Sequence, residues 1–245
     1  MEKEKPNAKE DIPWVEKYRP THFDNIVFSI IIKLICLNYN IIISKNIIMS
    51  NIGHLSICCG CMFSGKTSWL MNKFKKYSYI GKTISVINYA DDTRYHETHL
   101  STHDKDMIPC IQAHLLADVY SELEKVDVIL INEGQFFPDL YKIVIELVEE
   151  KNKIVHIAAL DGDFKRNIFG EILQLIPRCD DYLKLHALCA NCKDGTKASF
   201  SHRISHEDEQ ISIGSDNYIP LCRKCYENMN IIHSSNVREE YIQNA

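Results

Sequence analysis

Eight consecutive residues carry the clearest chemical signal in this sequence. They read GCMFSGKT and match the phosphate-loop pattern G-x-x-x-x-G-K-[ST] at every fixed position. In such a loop the backbone N–H groups face phosphate oxygens, Lys66 reaches the β- and γ-phosphates, and Thr67 offers a hydroxyl to Mg²⁺. We therefore predict a nucleoside triphosphate site formed by Gly60, Cys61, Met62, Phe63, Ser64, Gly65, Lys66 and Thr67.

A carboxylate at the end of an apolar run is the second signal. The run 127–131 is followed by Asn132 and Glu133. In phosphate-loop proteins this point of the chain holds Mg²⁺ and the attacking group, and its first residue is usually Asp. Asn132 can bond a metal-bound water through its carbonyl but brings no charge. Glu133 is placed to act as a general base, although a surface carboxylate is the alternative interpretation.

Two C-x-x-C pairs form the third signal. Cys189 with Cys192, and Cys222 with Cys225, can each turn two thiolates toward one point and together complete a tetrahedral zinc site. A redox-active pair is the alternative. A closed four-sulfur site leaves no position for catalysis, so we predict one structural Zn²⁺. The remaining cysteines are scattered and the charged N-terminus does not resemble a secretory signal, which indicates a reducing, cytoplasmic setting.

Short apolar runs that alternate with helical patterns position these residues. We predict strands over 55–59, 83–89, 127–131, 153–160 and 182–188, and helices over 67–77, 112–125 and 138–151. This alternation is typical of an α/β protein with a mainly parallel sheet and helices on both faces. We divide the chain into an extension (1–49), a phosphate-loop domain (50–188), a cysteine module (189–226) and a polar tail (227–245).

Composition and the N-terminal segment exclude some functions. The net charge of −5 over 245 residues gives no basic surface, so we expect no nucleic-acid partner. The Ile- and Asn-rich stretch that begins near residue 28 is interrupted by Lys33, Asn38 and Asn40, so we expect no membrane anchor. Residues 12–20 resemble the start of clamp-loader small subunits, but no ATPase core of that class follows. We expect residues 1–48 to be dispensable.

Several further motifs occur in a fixed order. They are DTRY (92–95), THD (102–104), NEGQFFPD (132–139), ALDGDF (159–164) and LCRKCY (221–226). Together with the phosphate loop they make the region from Gly53 to Tyr226 resemble the thymidine kinases of the cellular cytosolic, bacterial and poxviral type. The resemblance implies transfer of the ATP γ-phosphate to the 5′-hydroxyl of thymidine, with Mg²⁺, in a homotetramer.

The resemblance also implies roles for single residues. Lys66, Arg94 and Glu133 would be catalytic, with Glu133 as the base and Arg94 stabilising charge on the transferred group. Beyond the phosphate loop, ATP would be bound by Asp92, Thr93, Arg94, Asn132, Glu133, Gly134 and Gln135. Thymidine would be bound by Phe164, by a late loop of main-chain groups, and by a tyrosine behind that loop: Gln210, Ile211, Ser212, Ile213, Gly214 and Tyr218.

Two departures from the family pattern leave alternatives open. Asn132 stands where the family has Asp, and the late loop is one residue shorter than usual. A catalytically impaired, zinc-bound nucleotide-binding protein is therefore one alternative, and a replication-associated ATPase is another. Because the late loop lies between the two cysteine pairs, we expect zinc removal to abolish nucleoside binding before nucleotide binding.

Overall fold

A six-stranded parallel sheet forms the centre of the protein. The computed structural model describes residues 52–91, 99–101, 107–205, 209–211 and 217–230. The predicted extension (1–49) lies outside these residues, as does nearly all of the predicted tail. The sheet consists of β1 (His54–Gly60), β2 (Ile84–Tyr89), β5 (Ile111–Ala113), β6 (Val128–Ile131), β7 (Ile154–Ala159) and β8 (Asp181–Leu185). A separate antiparallel pair is formed by β3 (His99–Ser101) and β4 (Met107–Pro109).

The strand order brings the chemical motifs to one edge of the sheet. The order is β5-β2-β6-β7-β1-β8, and every neighbouring pair in it is parallel. The carboxyl ends of parallel strands meet at the same edge, which is where α/β proteins bind ligands. The phosphate loop follows β1, Asn132 and Glu133 follow β6, and the ALDGDF motif follows β7. These three segments therefore meet.

Helices cover both faces of the sheet, as predicted. Along β6, Val128 and Leu130 pack with the helix α1 (Lys66–Tyr79), whereas Ile129 and Ile131 pack with elements on the opposite face. Side chains alternate between the two faces of a strand, so a strand that is apolar throughout must be covered on both. Since all four of these side chains are buried, β6 is a central strand whose end is held in a fixed position.

The prediction of one helix over 112–125 is wrong in its first part. That part contains the edge strand β5, and a 3₁₀ turn (Leu116–Val119) and the short helix α2 (Tyr120–Leu123) follow. The Asp139 carboxylate accepts the N–H groups of Leu116 and Ala117 at 3.1 and 2.9 Å, which fixes the chain reversal after β5. A side chain distant in sequence therefore decides this boundary.

Two other predicted elements are divided in the structure. The helix predicted over 138–151 is α3 (Leu140–Ile145), which continues as a wider π-helical turn (Glu146–Glu150). The strand predicted over 182–188 ends as β8 at Leu185, and β9 (Ala187–Leu188) pairs instead with β10 (Lys197–Ala198). The chain thus leaves the parallel sheet here and enters the cysteine module.

The cysteine module is built from two small hairpins and a final helix. The first hairpin is β9–β10, and the second pairs β11 (Phe200–Arg203) with β12 (Tyr218–Leu221). Residues 223–230 form the helix α4. A small apolar core inside the module includes Ala198, Leu221 and Tyr226, together with Cys61 from the phosphate loop. None of the helices in the described part of the chain is long and apolar enough to span a membrane.

Candidate active site

The phosphate loop adopts backbone angles that its glycines make accessible. Gly65 has φ 87° and precedes the first residue of α1, and Phe63 also has a positive φ of 62°. A Cβ atom at Gly60 would lie 2.5 Å from the backbone oxygen of Leu185 on β8, so only glycine fits there. The Lys66 ammonium donates a hydrogen bond to the Cys61 carbonyl oxygen at 2.9 Å, which places it over the loop.

Asn132 lies in a buried network of amides. Its Nδ2 donates to Asn88 Oδ1 at 2.8 Å, and only 3% of Asn132 is exposed. Asn88 lies at the end of β2, next to Gln112 on β5, whose side chain bonds to the same segment. The residue where Asp was expected is therefore held by neutral partners on the neighbouring strands. Sequence reasoning did not identify Asn88, because nothing in its local pattern indicates that it meets Asn132.

Glu133 has a strained backbone and a well-defined orientation. Its φ of 53° is left-handed, which is uncommon for a non-glycine residue and occurs often in active sites. Its carboxylate accepts a hydrogen bond of 2.6 Å from Gln135 Nε2. Gln135 Oε1 in turn accepts the N–H of Leu160 at 2.9 Å, at the end of β7. Gln135 is 3% exposed and connects the candidate base to the sheet.

Aromatic side chains gather beside Glu133. The ring of Phe136 lies 5.0 Å from Tyr89 and 5.3 Å from Phe169, measured between centroids, and the Phe169 contact is edge-on. Phe169 is buried whereas Phe136 is only partly covered. Sequence reasoning named none of these as site residues, although two consecutive phenylalanines directly after Glu133 were a usable signal. The Phe136 N–H donates to the Glu133 carbonyl oxygen at 3.0 Å, so this aromatic group is joined to the backbone of the candidate base.

Asp163 connects two of the residues predicted to bind the nucleoside, Phe164 and Gln210. Its buried carboxylate accepts the N–H groups of Lys165 and Asn167, both at 2.8 Å, and so shapes the turn that carries Phe164. It also accepts Gln210 Nε2 at 3.0 Å, which connects this turn to the late loop. Asp163 was not predicted as a site residue. Together these bonds bring Phe164 and Gln210 onto one surface.

Several predicted site residues lie outside the part of the chain that the structure describes. They are Asp92, Thr93, Arg94, Ser212, Ile213 and Gly214. Of the late loop, Gln210 and Ile211 are described and both are exposed, and Tyr218 is buried on β12.

Gly134 lies against the sheet, because a Cβ atom there would come within 2.6 Å of Ile157 Cγ2. Gly134 therefore permits close packing beside Glu133.

Four sulfur atoms converge in the cysteine module. The Sγ atoms of Cys189, Cys192, Cys222 and Cys225 all lie within 4.8 Å of one another. A tetrahedral zinc ion with bonds of about 2.3 Å would space its sulfurs by about 3.8 Å, so the cluster fits such an ion. Burial opposes ionisation of Cys189, but the backbone N–H groups of Cys222, Cys192 and Asn191 outweigh it and lower the pKa of Cys189 to about 6. A thiolate that is stabilised in this way suits a metal ligand.

The module contacts both candidate binding loops. The N–H of Met62 in the phosphate loop donates to Ser201 Oγ on β11 at 2.9 Å, and the Cys61 thiol donates to the Ala198 carbonyl at 3.4 Å. On the other side, the Tyr226 hydroxyl donates to the Phe164 carbonyl oxygen. The module is therefore connected to the phosphate loop as well as to the turn that carries Phe164.

Known proteins resemble the chain over the same region. The sequence model of one family, described as thymidine kinase, matches residues 53–226. The thymidine kinase of Vaccinia virus (strain Western Reserve) is 42% identical over 177 residues, covering 72% of this chain and 98% of the relative. That of Yaba monkey tumor virus (strain VR587) is 43% identical over 182 residues, covering 74% and 98%. The cytosolic thymidine kinase of Gallus gallus is 39% identical over 175 residues, covering 71% and 77%.

Proposed function

The chain belongs to the thymidine kinase family, and we propose from this premise how its own residues carry out the reaction. It is an ATP-dependent phosphotransferase that phosphorylates thymidine. One observation supports the assignment of the site most directly. A phosphate loop and a carboxylate on a strained backbone leave the same edge of one sheet, which brings a triphosphate and a general base together.

Glu133 is the general base of this proposal. Its carboxylate takes the proton from the thymidine 5′-hydroxyl as the oxygen attacks the γ-phosphorus of ATP. The bond between this oxygen and phosphorus forms as the bond to the β-phosphate oxygen breaks, which yields thymidine monophosphate and ADP. Gln135 holds the carboxylate in place and is a positioning residue. Phe136 and Phe169 limit the access of water from one side.

The phosphate groups are bound by main-chain and cationic groups. The residues from Gly60 to Thr67 surround the triphosphate, and Lys66 exchanges its bond to the Cys61 carbonyl for phosphate oxygens. The DTRY motif supplies Asp92, Thr93 and Arg94, with Arg94 stabilising charge on the transferred group. Mg²⁺ would be held by the Thr67 hydroxyl and, through water, by Asn132, and it would neutralise charge on the phosphates. Both side chains offer the oxygen atoms that Mg²⁺ prefers.

The formation of thymidine monophosphate is the primary test of this assignment. Purified, zinc-loaded protein should convert thymidine and ATP to thymidine monophosphate and ADP in a Mg²⁺-dependent manner, measured by chromatography of both products. DNA should not stimulate ATP consumption. Nucleotide binding without turnover would instead favour the catalytically impaired alternative, and ATP hydrolysis that DNA stimulates would favour a replication ATPase.

The substitution Asn132→Asp tests the metal side of the site. An added carboxylate should reduce the Mg²⁺ concentration that gives half-maximal turnover, because it attracts the cation directly. The same change places an acceptor opposite Asn88 Oδ1, so the free energy of unfolding should fall by about 1 kcal/mol. Turnover across a Mg²⁺ titration and thermal denaturation measure the two effects. Asn72→Asp adds the same charge on an exposed face of α1 and should change neither. Turnover that is identical to wild type at every Mg²⁺ concentration would refute this role for Asn132.

The substitution Gln135→Leu tests the positioning of Glu133. It removes the bond to the carboxylate and leaves the Leu160 N–H without its acceptor. We expect kcat to fall about 10- to 100-fold with little change in the KM for ATP, because a base that is misplaced by a fraction of an ångström transfers protons poorly. Steady-state kinetics of both substrates provide the measurement, and Gln174→Leu, at an exposed position of the 3₁₀ helix Ile172–Arg178, is the control. A large increase in the KM for ATP with unchanged kcat would instead assign Gln135 to nucleotide binding.

We extend the proposal to the bound zinc, the oligomeric state, the cellular location and the N-terminal extension of the kinase. The four cysteines hold one structural Zn²⁺, and four chains assemble into a tetramer as the family resemblance implies. The enzyme acts in the cytoplasm, like the relative from Gallus gallus that is named cytosolic. Residues 1–48 lie before the region matched by the family and are not required for catalysis.

A further inference from the structure

A buried arginine that neither the motifs nor the family comparison assigns lies among the residues of the nucleoside site. Arg203 ends the strand β11 and is only 2% exposed. A guanidinium group carries five N–H donors in a plane and stays charged, so its burial requires acceptors and a favourable contact for its faces. The partners of Arg203 include Phe164, Gln210 and Tyr218, which the family resemblance assigns to thymidine.

Arg203 and Tyr218 lie on either side of the late loop in the sequence, and the hairpin brings them together. Arg203 and Tyr218 are direct cross-strand partners in the hairpin β11–β12, and the Ile204 N–H donates to the Asn217 carbonyl at 2.8 Å just beyond them. Every residue of the late loop therefore lies between these two positions. Arg203 Nε donates to the Tyr218 hydroxyl at 3.0 Å, so the two ends of the loop are joined by side chains as well as by the backbone.

The same guanidinium reaches into the loop. One terminal nitrogen donates to the carbonyl oxygen of Glu209, and the other donates to that of Gln210 at 3.1 Å. Bonds from a charged donor to main-chain oxygens fix the backbone and do not depend on side chains. The loop segment before Ile211 is thus attached to a rigid strand.

The planar face of the guanidinium contacts the ring of Phe164. Its central carbon lies 3.8 Å from the Phe164 ring centroid, which is close stacking, and 5.1 Å from that of Tyr218. A cation that is stacked on an aromatic face holds the ring at one angle, and the contact is stronger when it is shielded from water. The backbone of Phe164 is held separately by Tyr226. Arg203 therefore orients the ring, while the zinc module positions the main chain.

We propose that Arg203 is a positioning residue for thymidine, which joins the main chain at Glu209 and Gln210 to the ring of Phe164 and so prepares this part of the base-binding surface before the nucleoside arrives. The proposal rests on the assignment of Phe164 and the late loop to the nucleoside site. A planar, charged group is required, because no other side chain combines stacking on Phe164 with donation to two carbonyls and a hydroxyl.

The test compares three variants by steady-state kinetics with thymidine and ATP. Arg203→Met removes both charge and donors, and Arg203→Lys keeps the charge but loses the planar fork. We expect the KM for thymidine to rise about tenfold or more for Arg203→Met and by a similar factor for Arg203→Lys, with the KM for ATP within about twofold of wild type. Arg223→Met is the matched control, because Arg223 also lies over a ring of the module, that of Phe200, but its side chain is exposed and pairs with Glu227. It should behave like wild type.

Further measurements separate the outcomes. Tyr218→Phe removes the hydroxyl that Arg203 bonds and should raise the KM for thymidine in the same direction even if Arg203→Met fails to fold. An unchanged KM for thymidine in a folded Arg203→Met variant would overturn the proposal. Equal increases in the KM values of both substrates, together with a lowered Tm, would also overturn it and assign Arg203 a structural role. Phe164→Ala tests the underlying site: if this change leaves the KM for thymidine unaltered, the site assignment fails, and not the role of Arg203 alone.

Discussion

Replacing Glu133 with Gln should reduce kcat about 10²- to 10⁴-fold, the range that a general base contributes, while both KM values remain close to wild type. The amide has nearly the shape of the carboxylate and still accepts the hydrogen bond from Gln135 through its oxygen. It cannot take a proton from the thymidine 5′-hydroxyl. Because the left-handed backbone at position 133 is set by the strand end and by Gly134, the fold should not change.

The measurement is the rate of thymidine monophosphate formation at saturating ATP, thymidine and Mg²⁺. Glu149→Gln is a suitable control, because Glu149 forms an exposed ion pair with Arg178 and lies before the start of β7, away from the carboxyl edge of the sheet. This variant should keep full activity. A Glu133→Gln enzyme with more than about a tenth of wild-type kcat would exclude Glu133 as the base. If thymidine binding were lost instead, Glu133 would be a binding residue.

Removal of the zinc ion should have the second largest effect. Chelation, or the substitution Cys222→Ser, should weaken thymidine binding on the order of a hundredfold or more, because metal binding in such modules is coupled to their folding. Once the module loosens, the Tyr226 bond to the Phe164 carbonyl and the Arg203 contacts lose their support. ATP binding should weaken as well, though less, since Met62 and Cys61 of the phosphate loop bond to the same module.

Calorimetric titration of each ligand, with zinc content measured in parallel, checks this prediction. Cys179→Ser is the matched control, because Cys179 is partly buried and lies outside the four-cysteine cluster. Ser201→Ala isolates the phosphate-loop contact and should raise the KM for ATP a few-fold with zinc still bound. Equal loss of both ligands together with loss of helical circular dichroism would mean that zinc supports the whole fold and not the two loops.

The expectation that zinc removal abolishes nucleoside binding before nucleotide binding follows from the order of residues along the chain. The late loop lies between the cysteine pairs, whereas Met62 and Ser201 are separated by 139 positions. The residues around Met62 and around Ser201 give no indication of a hydrogen bond between a backbone N–H and a serine hydroxyl. The coupling of the module to the phosphate loop therefore becomes visible only when β11 lies against that loop.

Much of the site could be predicted from the sequence because its chemistry is local. The phosphate loop needs glycines and a lysine at fixed spacing, two C-x-x-C pairs suffice to specify a four-sulfur cluster, and alternating apolar runs specify a parallel sheet. Each of these features depends on neighbouring residues or on a repeated pair, so its pattern can be recognised in the amino-acid sequence. The positions of Glu133 and Asn132 at the carboxyl edge followed from the same logic.

Tertiary structure alone decided the contacts between distant segments. Asn132 meets Asn88, Gln135 connects Glu133 to Leu160, and Arg203 stacks on Phe164, and in each case the partner lies on another strand or loop. A buried polar side chain must find a partner, but its sequence neighbours do not reveal which one because the strand order selects it. The sequence determined which residues can do the chemistry, whereas the packing of the sheet and the cysteine module determined which residues hold them in place.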